Sequence, residues 1–430
     1  MKVRDFTELY ESVESGERDI EVVNSIGAPK GFKLQKGQRI RGKDETILLS
    51  FINGDGIGLT GDNEVADLSI QTSPSARGIY LDSTEEDLGT IQLKNVTVTG
   101  MVQILMRGNN KRLDLEVDGL DIPFADARNY PERPMKYGVN VYQGAFTVYN
   151  FNPVEGSAIH FKGKGIRIGR KNSPVLGSGL FVSGFNDESG PVEVDYLETE
   201  EIYSNGMIPK GQPNLITGGL FIVYGAHAKK IVSKGSVETY GNNDMVLDVW
   251  GKVEEWIVEG EVTSYGSSGI GFVNFGTVEK FKANKQIATY GLGARGFNQY
   301  DGTIGEAYFE SIKTTGDGSI GMQFSKPVGK ITVGEVRTTG STGQTLVKGE
   351  IMELAADGIS VLKGGEIRSL EILRDIVTEG EGVSAYHVNG GAVKELKLGG
   401  EILSKGENAS AVRIENGGTS DLEAIKNFVD

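Results

Sequence analysis

The sequence predicts an all-β solenoid, a parallel β-helix made of successive coils of ~25 residues. The first observation is a repeat whose stretches end in tyrosine or threonine followed by glycine, at Gly241, Gly266, Gly291, Gly316 and Gly340. These glycines are 25, 25, 25 and 24 residues apart. The second observation is that the repeats contain short apolar runs of period two and no ten-residue stretch with a helical period. Units of this size cannot bury a face alone, so successive coils are expected to stack strand on strand.

Stacking predicts that residues one repeat apart lie above one another and share their character. One predicted inward column is apolar throughout: Ile222, Leu247, Phe272, Phe297 and Met322. A second is β-branched: Val237, Val262, Ile287 and Ile312. Two further columns carry hydroxyl groups (Thr239, Ser264, Thr289, Thr314) and tyrosines (Tyr240, Tyr265, Tyr290). Such agreement over four or five repeats is typical of a parallel β-helix.

The coil of three short strands in about 25 residues resembles the right-handed parallel β-helix of the pectin-lyase-like superfamily. The phrase Lys-Gly-Gln-Arg-Ile-Arg-Gly at 36–42 is similar to the opening coils of many of these proteins. The resemblance covers nearly the whole chain as architecture and implies a single-stranded, right-handed solenoid. It predicts one domain over residues 1–430, with an N-terminal capping helix at 1–16, coils at 17–419 and a C-terminal capping helix at 420–430.

The two helices are predicted from capping signals at the ends of the chain. Asp5 precedes an amphipathic segment with Glu8 three residues on, and Ser420 stands three residues before Glu423. Helices at these places would cover the open ends of the first and last coils.

The catalytic motifs of particular pectin-lyase-like families are missing. A polygalacturonase-like hydrolase would show paired aspartates, Gly-His-Gly and Arg-Ile-Lys, where this chain has Gly-Ala-His at 225–227, Arg-Ile-Gly at 167–169 and Arg-Ile-Glu at 413–415. The calcium cluster and arginine of a pectate-lyase-like site and the Asp-Pro-His of an alginate-epimerase-like site are also not found. Whether the protein is an enzyme therefore stays open at this point.

Composition excludes several classes of function. The net charge of −15 disfavours a nucleic-acid groove, which needs a basic stripe. There are no cysteines to form disulfides or act as nucleophiles. No apolar run approaches the length of a membrane span, and residues 1–16 lack the apolar core of a signal peptide. The sequence predicts a cytoplasmic protein, unless a leader has been removed, with no membrane, nucleic-acid or cofactor partner.

A binding face is predicted from strict alternation about the inward Phe272 column. The columns at 271, 273 and 275 would then face outward and form a groove floored by Gly271, Gly296 and Gly321. Aromatic platforms flanked by amides and a carboxylate suit sugar rings. The predicted ligand-binding residues are Trp250, Phe275, Tyr300, Asn298, Gln323 and Asp248. The loops at 121–137 and 207–217 would wall this groove, and Arg295 interrupts an otherwise apolar column (Leu220, Met245, Ile270, Ile320).

Three residues are candidate catalytic groups. His227 is predicted at a coil corner one coil below Asp244 and Asp248, where a histidine near carboxylates could act as a general base. A lone histidine in a turn is more often only hydrogen-bonded and solvated. His160 and His387 show no metal-ligand spacing, so no metal site is predicted.

Two functions follow from this face. The first is a carbohydrate-directed protein that binds a poly- or oligosaccharide in the groove, as a binding protein, a lyase or a hydrolase. The second is a non-catalytic structural or assembly module, such as a tailspike-like trimer, that uses the same aromatic face as an interface. Oligomeric state is left undecided by the sequence.

Overall fold

The computed structural model describes residues 1–347 and 350–426, and their regular secondary structure is almost entirely β-strand. The first half of the strands are β1 Lys2–Val3, β2 Asp19–Val22, β3 Ile26–Ala28, β4 Phe32–Lys33, β5 Arg39–Gly42, β6 Leu48–Phe51, β7 Ile57–Leu59, β8 Glu64–Gln71, β9 Arg77–Leu81, β10 Asp87–Thr99, β11 Met101–Met106, β12 Arg112–Phe124, β13 Met135–Lys136, β14 Val139–Val141, β15 Gly144–Asn150, β16 Ala158–Ile168, β17 Val175–Leu176, β18 Ser178–Ser183, β19 Val192–Asn205 and β20 Leu215–Ile222. The second half are β21 Ala226–Ser233, β22 Val237–Thr239, β23 Asp244–Val249, β24 Lys252–Val258, β25 Val262–Ser264, β26 Ile270–Asn274, β27 Thr277–Thr289, β28 Arg295–Gln299, β29 Thr303–Thr314, β30 Ile320–Phe324, β31 Pro327–Thr338, β32 Gly343–Val347, β33 Glu350–Leu354, β34 Ile359–Leu362, β35 Glu366–Ile372, β36 Ile376–Thr378, β37 Ser384–Asn389, β38 Ala392–Leu398, β39 Ile402–Ser404 and β40 Ser410–Glu415. The helices are α1 Phe6–Glu14 and α2 Leu422–Ile425.

The chain forms two compact units. Unit 1 consists of Met1–Pro134, Tyr142–Ser204 and Phe221–Ile231, and unit 2 consists of Met135–Val141, Asn205–Leu220 and Val232–Asp430. The single domain over residues 1–430 stays a prediction.

Unit 1 begins with α1 and continues as parallel strands. Asp5 caps the helix by accepting a hydrogen bond from the Glu8 N–H at 2.9 Å, and Leu9 and Val13 are buried beneath it. The strands that follow pair in parallel, with Ile40 opposite Val65 and Val65 opposite Leu93. The N-terminal capping signal therefore does begin a helix, at Phe6, and α1 covers an apolar surface.

Unit 2 repeats with the register that the sequence predicts. Its strands pair in parallel so that Val237, Val262, Ile287 and Ile312 follow one another. Leu247, Phe272, Phe297 and Met322 do the same in a second ladder. All eight side chains are buried. The parallel β-solenoid and both of its inward columns are confirmed.

The interior of unit 2 is filled by stacked aromatic rings. Phe272 lies parallel to Phe281 with ring centroids 4.0 Å apart, and Phe297 lies 5.0 Å from Phe309. Burying one phenylalanine contributes about 1.5–3 kcal/mol. The apolar column therefore stabilises each coil and also holds its neighbours in register.

The interval between Gly340 and Gly380 is longer than one repeat because it contains an antiparallel hairpin. Strands β32 and β33 pair with Gly343 opposite Leu354 and Thr345 opposite Met352. The Thr345 hydroxyl donates to the Gly293 carbonyl at 3.2 Å, so the hairpin folds back on an earlier corner.

The C-terminal helix is capped differently from the sequence prediction. Asp421, and not Ser420, occupies the N-cap and accepts from the Ala424 N–H at 3.4 Å. Ser420 is engaged elsewhere, since its hydroxyl hydrogen-bonds that of Tyr386 at 2.8 Å. The last four residues of the predicted 420–430 helix lie outside the described residues.

Candidate functional site: a covered cavity in unit 2

The open groove that strict alternation predicts is not present. Asp248 and Asn298 are fully buried, Trp250 is 2% exposed and Gln323 is 7% exposed. Phe275 and Tyr300 are half-buried. Phe275 and Tyr300 stack with ring centroids 4.9 Å apart, so the aromatic column exists, but other parts of the chain cover it.

The first part of the cover is a hairpin formed by β13 and β14, which pair antiparallel with Lys136 opposite Val139. Its turn residues, Tyr137 and Gly138, have φ angles of 55° and 82°, as a type I′ turn requires. The turn places the Tyr137 ring on Phe275 at 4.6 Å and edge-on to Trp250 at 5.4 Å. The Tyr137 hydroxyl also donates to the Phe275 carbonyl at 3.4 Å.

The second part of the cover is the segment between Gly206 and Thr217, which Asp244 holds against a coil corner. One Asp244 oxygen accepts from the Thr217 hydroxyl at 2.5 Å. The other accepts from the Gly206 and Gly241 N–H groups at 3.0 and 2.7 Å. Burial raises the pKa of Asp244 to about 6, and these hydrogen bonds oppose the rise. This geometry gives Asp244 a positioning role.

The predicted glycine floor is wrong, because these glycines face the interior. A Cβ on Gly271 would collide with the Ile287 side chain, and one on Gly296 would collide with that of Ile312. Gly271 and Phe272 therefore both point inward, which breaks the alternation at the start of β26. As a result the column at 270, with Met245, Ile270 and Arg295, faces the covered side together with Asp248.

Between the cover and the strands lies a cavity of about 570 Å³. Its aromatic wall is formed by Tyr137, Phe275 and Tyr300, and an ion pair between Asp301 and Lys326 at 3.3 Å lies at its lining. The other lining residues are Gly138, Val139, Pro213, Asn214, Ile216, Asn243, Met245, Asp248, Ser268, Ile270 and Arg295. This size and mixture of apolar and polar groups are typical of a small-molecule site.

Asp248 contributes a buried carboxyl group to this cavity. Neither of its side-chain oxygens has a hydrogen-bond partner among the residues that the structure describes. Burial raises the pKa of Asp248 well above its usual range, and the adjacent Val249 N–H offsets this only in part. On the same strand face, both side-chain polar atoms of Asn298 also lack partners within the described chain. Buried polar groups normally have partners, so the unpartnered carboxyl group of Asp248, which lines the cavity, points to a ligand there.

Arg295 is the cationic group of the cavity, and the sequence signalled it only by its break in an apolar column. It is 6% exposed, and its Nε donates to the Gln323 Oε1 at 3.0 Å. Its Nη1 lies 3.5 Å from the Gly293 carbonyl oxygen. No carboxylate of residues 1–345 or 351–426 lies within ion-pair distance of this guanidinium, and burial lowers its pKa. Gln323 therefore supports Arg295 and holds its orientation.

The histidines lie elsewhere. His227 belongs to unit 1, on β21, where its Nδ1 is 3.2 Å from a Glu193 oxygen. His387 in unit 2 bridges Asp357 at 2.7 Å and Glu415 at 3.2 Å. Burial disfavours its charge, but these two carboxylates outweigh burial and raise the pKa of His387. No group of three or more His, Asp or Glu side chains suited to a metal ion occurs in the described part of the chain.

Comparison with known proteins adds no relative: no family model, no curated protein and no solved structure matches the chain. Within the described ranges, no helix has the length and apolar character needed to cross a membrane. The cavity must therefore be interpreted from its own chemistry.

Proposed function

We propose that the protein binds carbohydrate, and that the cavity of unit 2 receives a short saccharide or one end of a longer chain. The observation that carries this proposal is the combination, in one cavity, of a stacked aromatic wall and a fully buried carboxyl group with no described partner. Sugars offer both apolar C–H faces and hydroxyl donors, which is the complement of these two features.

The aromatic wall would take the C–H face of a sugar ring. Tyr300 stacks on Phe275 on one side, and Tyr137 stacks on Phe275 with an interplanar angle of 29°. These rings pack on one another, so they do not form a long open platform for a polymer. A ligand of about one or two sugar rings fits a partly covered site of this size.

Asp248 would take the hydroxyl groups. A buried carboxyl group without a partner is costly, and hydrogen bonds to a charged acceptor contribute roughly 1.5–3 kcal/mol each. Both Asp248 oxygens are shielded in the ligand-free protein, so the side chain would have to turn into the cavity on binding; a saccharide hydroxyl would then satisfy this group and lower its pKa toward the ordinary value. Binding is the proposed activity; a lyase or hydrolase step at Asp248 is not required by it.

The finer details of the fold belong to the same proposal. We propose right-handed coils with three strands each in one continuous domain, as in the pectin-lyase-like superfamily, because connections between parallel strands are right-handed in nearly all proteins. A cytoplasmic location, with no membrane or nucleic-acid partner, completes it.

The alternative function is that of an assembly module. It is favoured by the exposed tyrosine column, and not by the Trp250 and Phe275 face that the sequence predicted as the interface. Tyr240, Tyr265 and Tyr290 stack at 5.1 and 5.3 Å, and Tyr265 and Tyr290 are 41% and 44% exposed. An interface would use this ladder, since Tyr137 already covers Trp250 and Phe275. Light scattering that gives an oligomer in the wild type and a monomer in Tyr265→Ser/Tyr290→Ser would favour assembly.

The test of the carbohydrate proposal is calorimetric titration of wild-type protein and Asp248→Asn with a panel of neutral and acidic mono- and disaccharides. We expect saturable binding of one sugar class, weakened about tenfold or more in Asp248→Asn, because the amide replaces one acceptor by a donor. Glu259→Gln, a change outside the cavity lining, is the control. Binding by none of the panel would contradict the proposal.

A further inference from the structure

We infer that the ligand of this cavity carries an oxyanion group, which Arg295 binds. This inference rests on the proposed function for the saccharide part of the ligand, but its own basis is the environment of one buried cation.

The two buried charged residues of the cavity differ in how they can avoid the cost of burial. Asp248 can bind a proton and become neutral, as its raised pKa indicates. An arginine does not lose its proton in a protein, even where burial lowers its pKa. Arg295 therefore keeps a positive charge at 6% exposure, and a buried charge normally requires an opposite one.

No side chain of the described residues supplies that opposite charge. One of the two acidic residues of the lining, Asp301, is paired with Lys326 at 3.3 Å. Asp248 forms no ion pair with any described residue. The bonds that Arg295 does make are to two neutral acceptors, the Gln323 amide and the Gly293 carbonyl. These orient the guanidinium but do not neutralise it.

The bonds also define which edge of the guanidinium is available. The Nε and Nη1 atoms are engaged by Gln323 and Gly293, and Nη2 has no hydrogen-bond partner among the described residues. An oxyanion would therefore approach the Nη end of the guanidinium. The hydrogen bonds formed there would be charge-assisted, and such bonds are stronger than those between neutral groups. Carboxylate, phosphate and sulfate groups share this chemistry.

A column comparison supports a ligand role over a packing role. The other members of the Arg295 column are Met245, Ile270 and Ile320, all buried and apolar. A residue that only filled this position would be apolar as well, at a lower cost in desolvation. The cation stands at the position of this column where the Gln323 side chain accepts a hydrogen bond from it.

The experiment titrates wild-type protein with glucose, glucuronate, glucose 6-phosphate and glucose 6-sulfate, and separately with inorganic phosphate and sulfate. We expect at least one anionic sugar to bind about tenfold more tightly than glucose, and this preference to vanish in Arg295→Gln. Lys280→Gln, which removes an exposed cation outside the cavity lining, should keep the preference. Arg295→Ile restores the apolar column, so it keeps the test valid if Arg295→Gln does not fold.

The outcomes separate this inference from the proposed function. Equal binding of glucose and all anionic sugars, or a preference that survives in both Arg295 variants, overturns the inference and leaves carbohydrate binding intact. Binding of inorganic phosphate or sulfate that Arg295→Ile abolishes, without any sugar binding, supports the anion site and contradicts the carbohydrate proposal. No binding of any probe overturns both.

Discussion

Two buried aspartates, four residues apart on β23, show how much depends on the partners of a single side chain. Asp244 accepts three hydrogen bonds and holds the segment between Gly206 and Thr217 in place. Asp248 accepts none from the described residues and faces the cavity. The same residue type therefore stabilises the protein at one position and is expected to destabilise it at the other.

Replacing Asp248 by valine should increase the free energy of unfolding of the ligand-free protein by roughly 1–3 kcal/mol. Valine is the residue at the neighbouring position of the same column, Val273, which is fully buried. The same variant should lose ligand binding. Chemical denaturation measures the first effect and calorimetric titration the second; a less stable variant would show that Asp248 has a partner that supports the fold.

The increase in the free energy of unfolding caused by Asp248→Val should also depend on pH. An aspartate whose folded-state pKa is raised stabilises the protein below its unfolded-state pKa of about 3.9. That contribution is lost as the pH rises through the folded-state pKa, at about 1.4 kcal/mol per pH unit. The difference between wild type and Asp248→Val should therefore grow from pH 4 toward neutral pH, and a constant difference would show that this carboxyl is ionised when buried.

Asp244→Ala should have the opposite effect on stability. The change leaves two backbone N–H groups and the Thr217 hydroxyl without their acceptor, at a cost of roughly 2–4 kcal/mol. It should also release residues 206–217 and weaken ligand binding. Chemical denaturation measures the loss of stability, and hydrogen exchange of residues 206–217 measures the release of this segment. Unchanged exchange there would contradict the role of Asp244 in holding the segment in place.

At the scale of elements, the cover of the cavity depends on a two-residue turn. Both turn residues of the β13–β14 hairpin have positive φ, and Tyr137 can adopt this conformation only at some cost. Gly138 adopts it freely, so it keeps the type I′ geometry that places the Tyr137 ring on Phe275.

Gly138→Ala should therefore weaken ligand binding severalfold and lower the free energy of unfolding by about 1 kcal/mol. Gly156→Ala is a matched control, because Gly156 has a φ of 78° against 82° for Gly138 and neither has an atom within 4 Å of an added Cβ. The control should lose similar stability but bind normally. Equal binding by the two variants would show that the hairpin does not shape the site.

The same elements show what could be read from the sequence and what could not. Repeat spacing was sufficient to predict the parallel solenoid and its Phe272 and Ile287 columns, because stacking acts on every coil alike. It could not reveal that Gly271 and Phe272 both point inward, since a glycine shows no preference for either face. For this reason the sequence prediction placed the three glycines on the floor of the binding face, where they do not lie. It also treated Arg295 as an exception in an apolar column, whereas Arg295 lines the cavity.

The cover could not be foreseen for another reason. Tyr137 contacts Phe275, 138 residues further along the chain, and no local pattern encodes that contact. The aromatic and carboxyl residues were recognised from the repeat, but their burial was not. Long-range packing, and not local propensity, turns the predicted groove into a cavity.

At the scale of the whole molecule, we expect stability to depend on the register between neighbouring coils and not on the length of the chain. In a solenoid each coil contacts its neighbours, so removal of a complete coil preserves the register of the remaining ones. Val361 pairs with Val388, which pairs with Ile414, and Ile376 pairs with Ile402.

Deleting residues 381–406 should therefore give a folded protein, because Glu407 then follows Gly380 as Glu381 does now. We expect cooperative thermal unfolding with a β-rich circular dichroism spectrum. Deleting only residues 381–393 should abolish cooperative unfolding of this region, because the columns no longer align. Equal tolerance of both deletions would contradict a register-based fold.

The central claim is that unit 2 holds a partly covered cavity and not an open groove, and that this cavity binds the saccharide we propose. Calorimetric titration with a series of oligosaccharides of the preferred sugar, from one to six rings, tests it most directly. The structure predicts that affinity rises up to about two rings and then stays constant, because the cover limits the contacts that further rings can make. Affinity that keeps rising with each added ring, and that persists in Asp248→Asn, would contradict the cavity and favour the open aromatic groove.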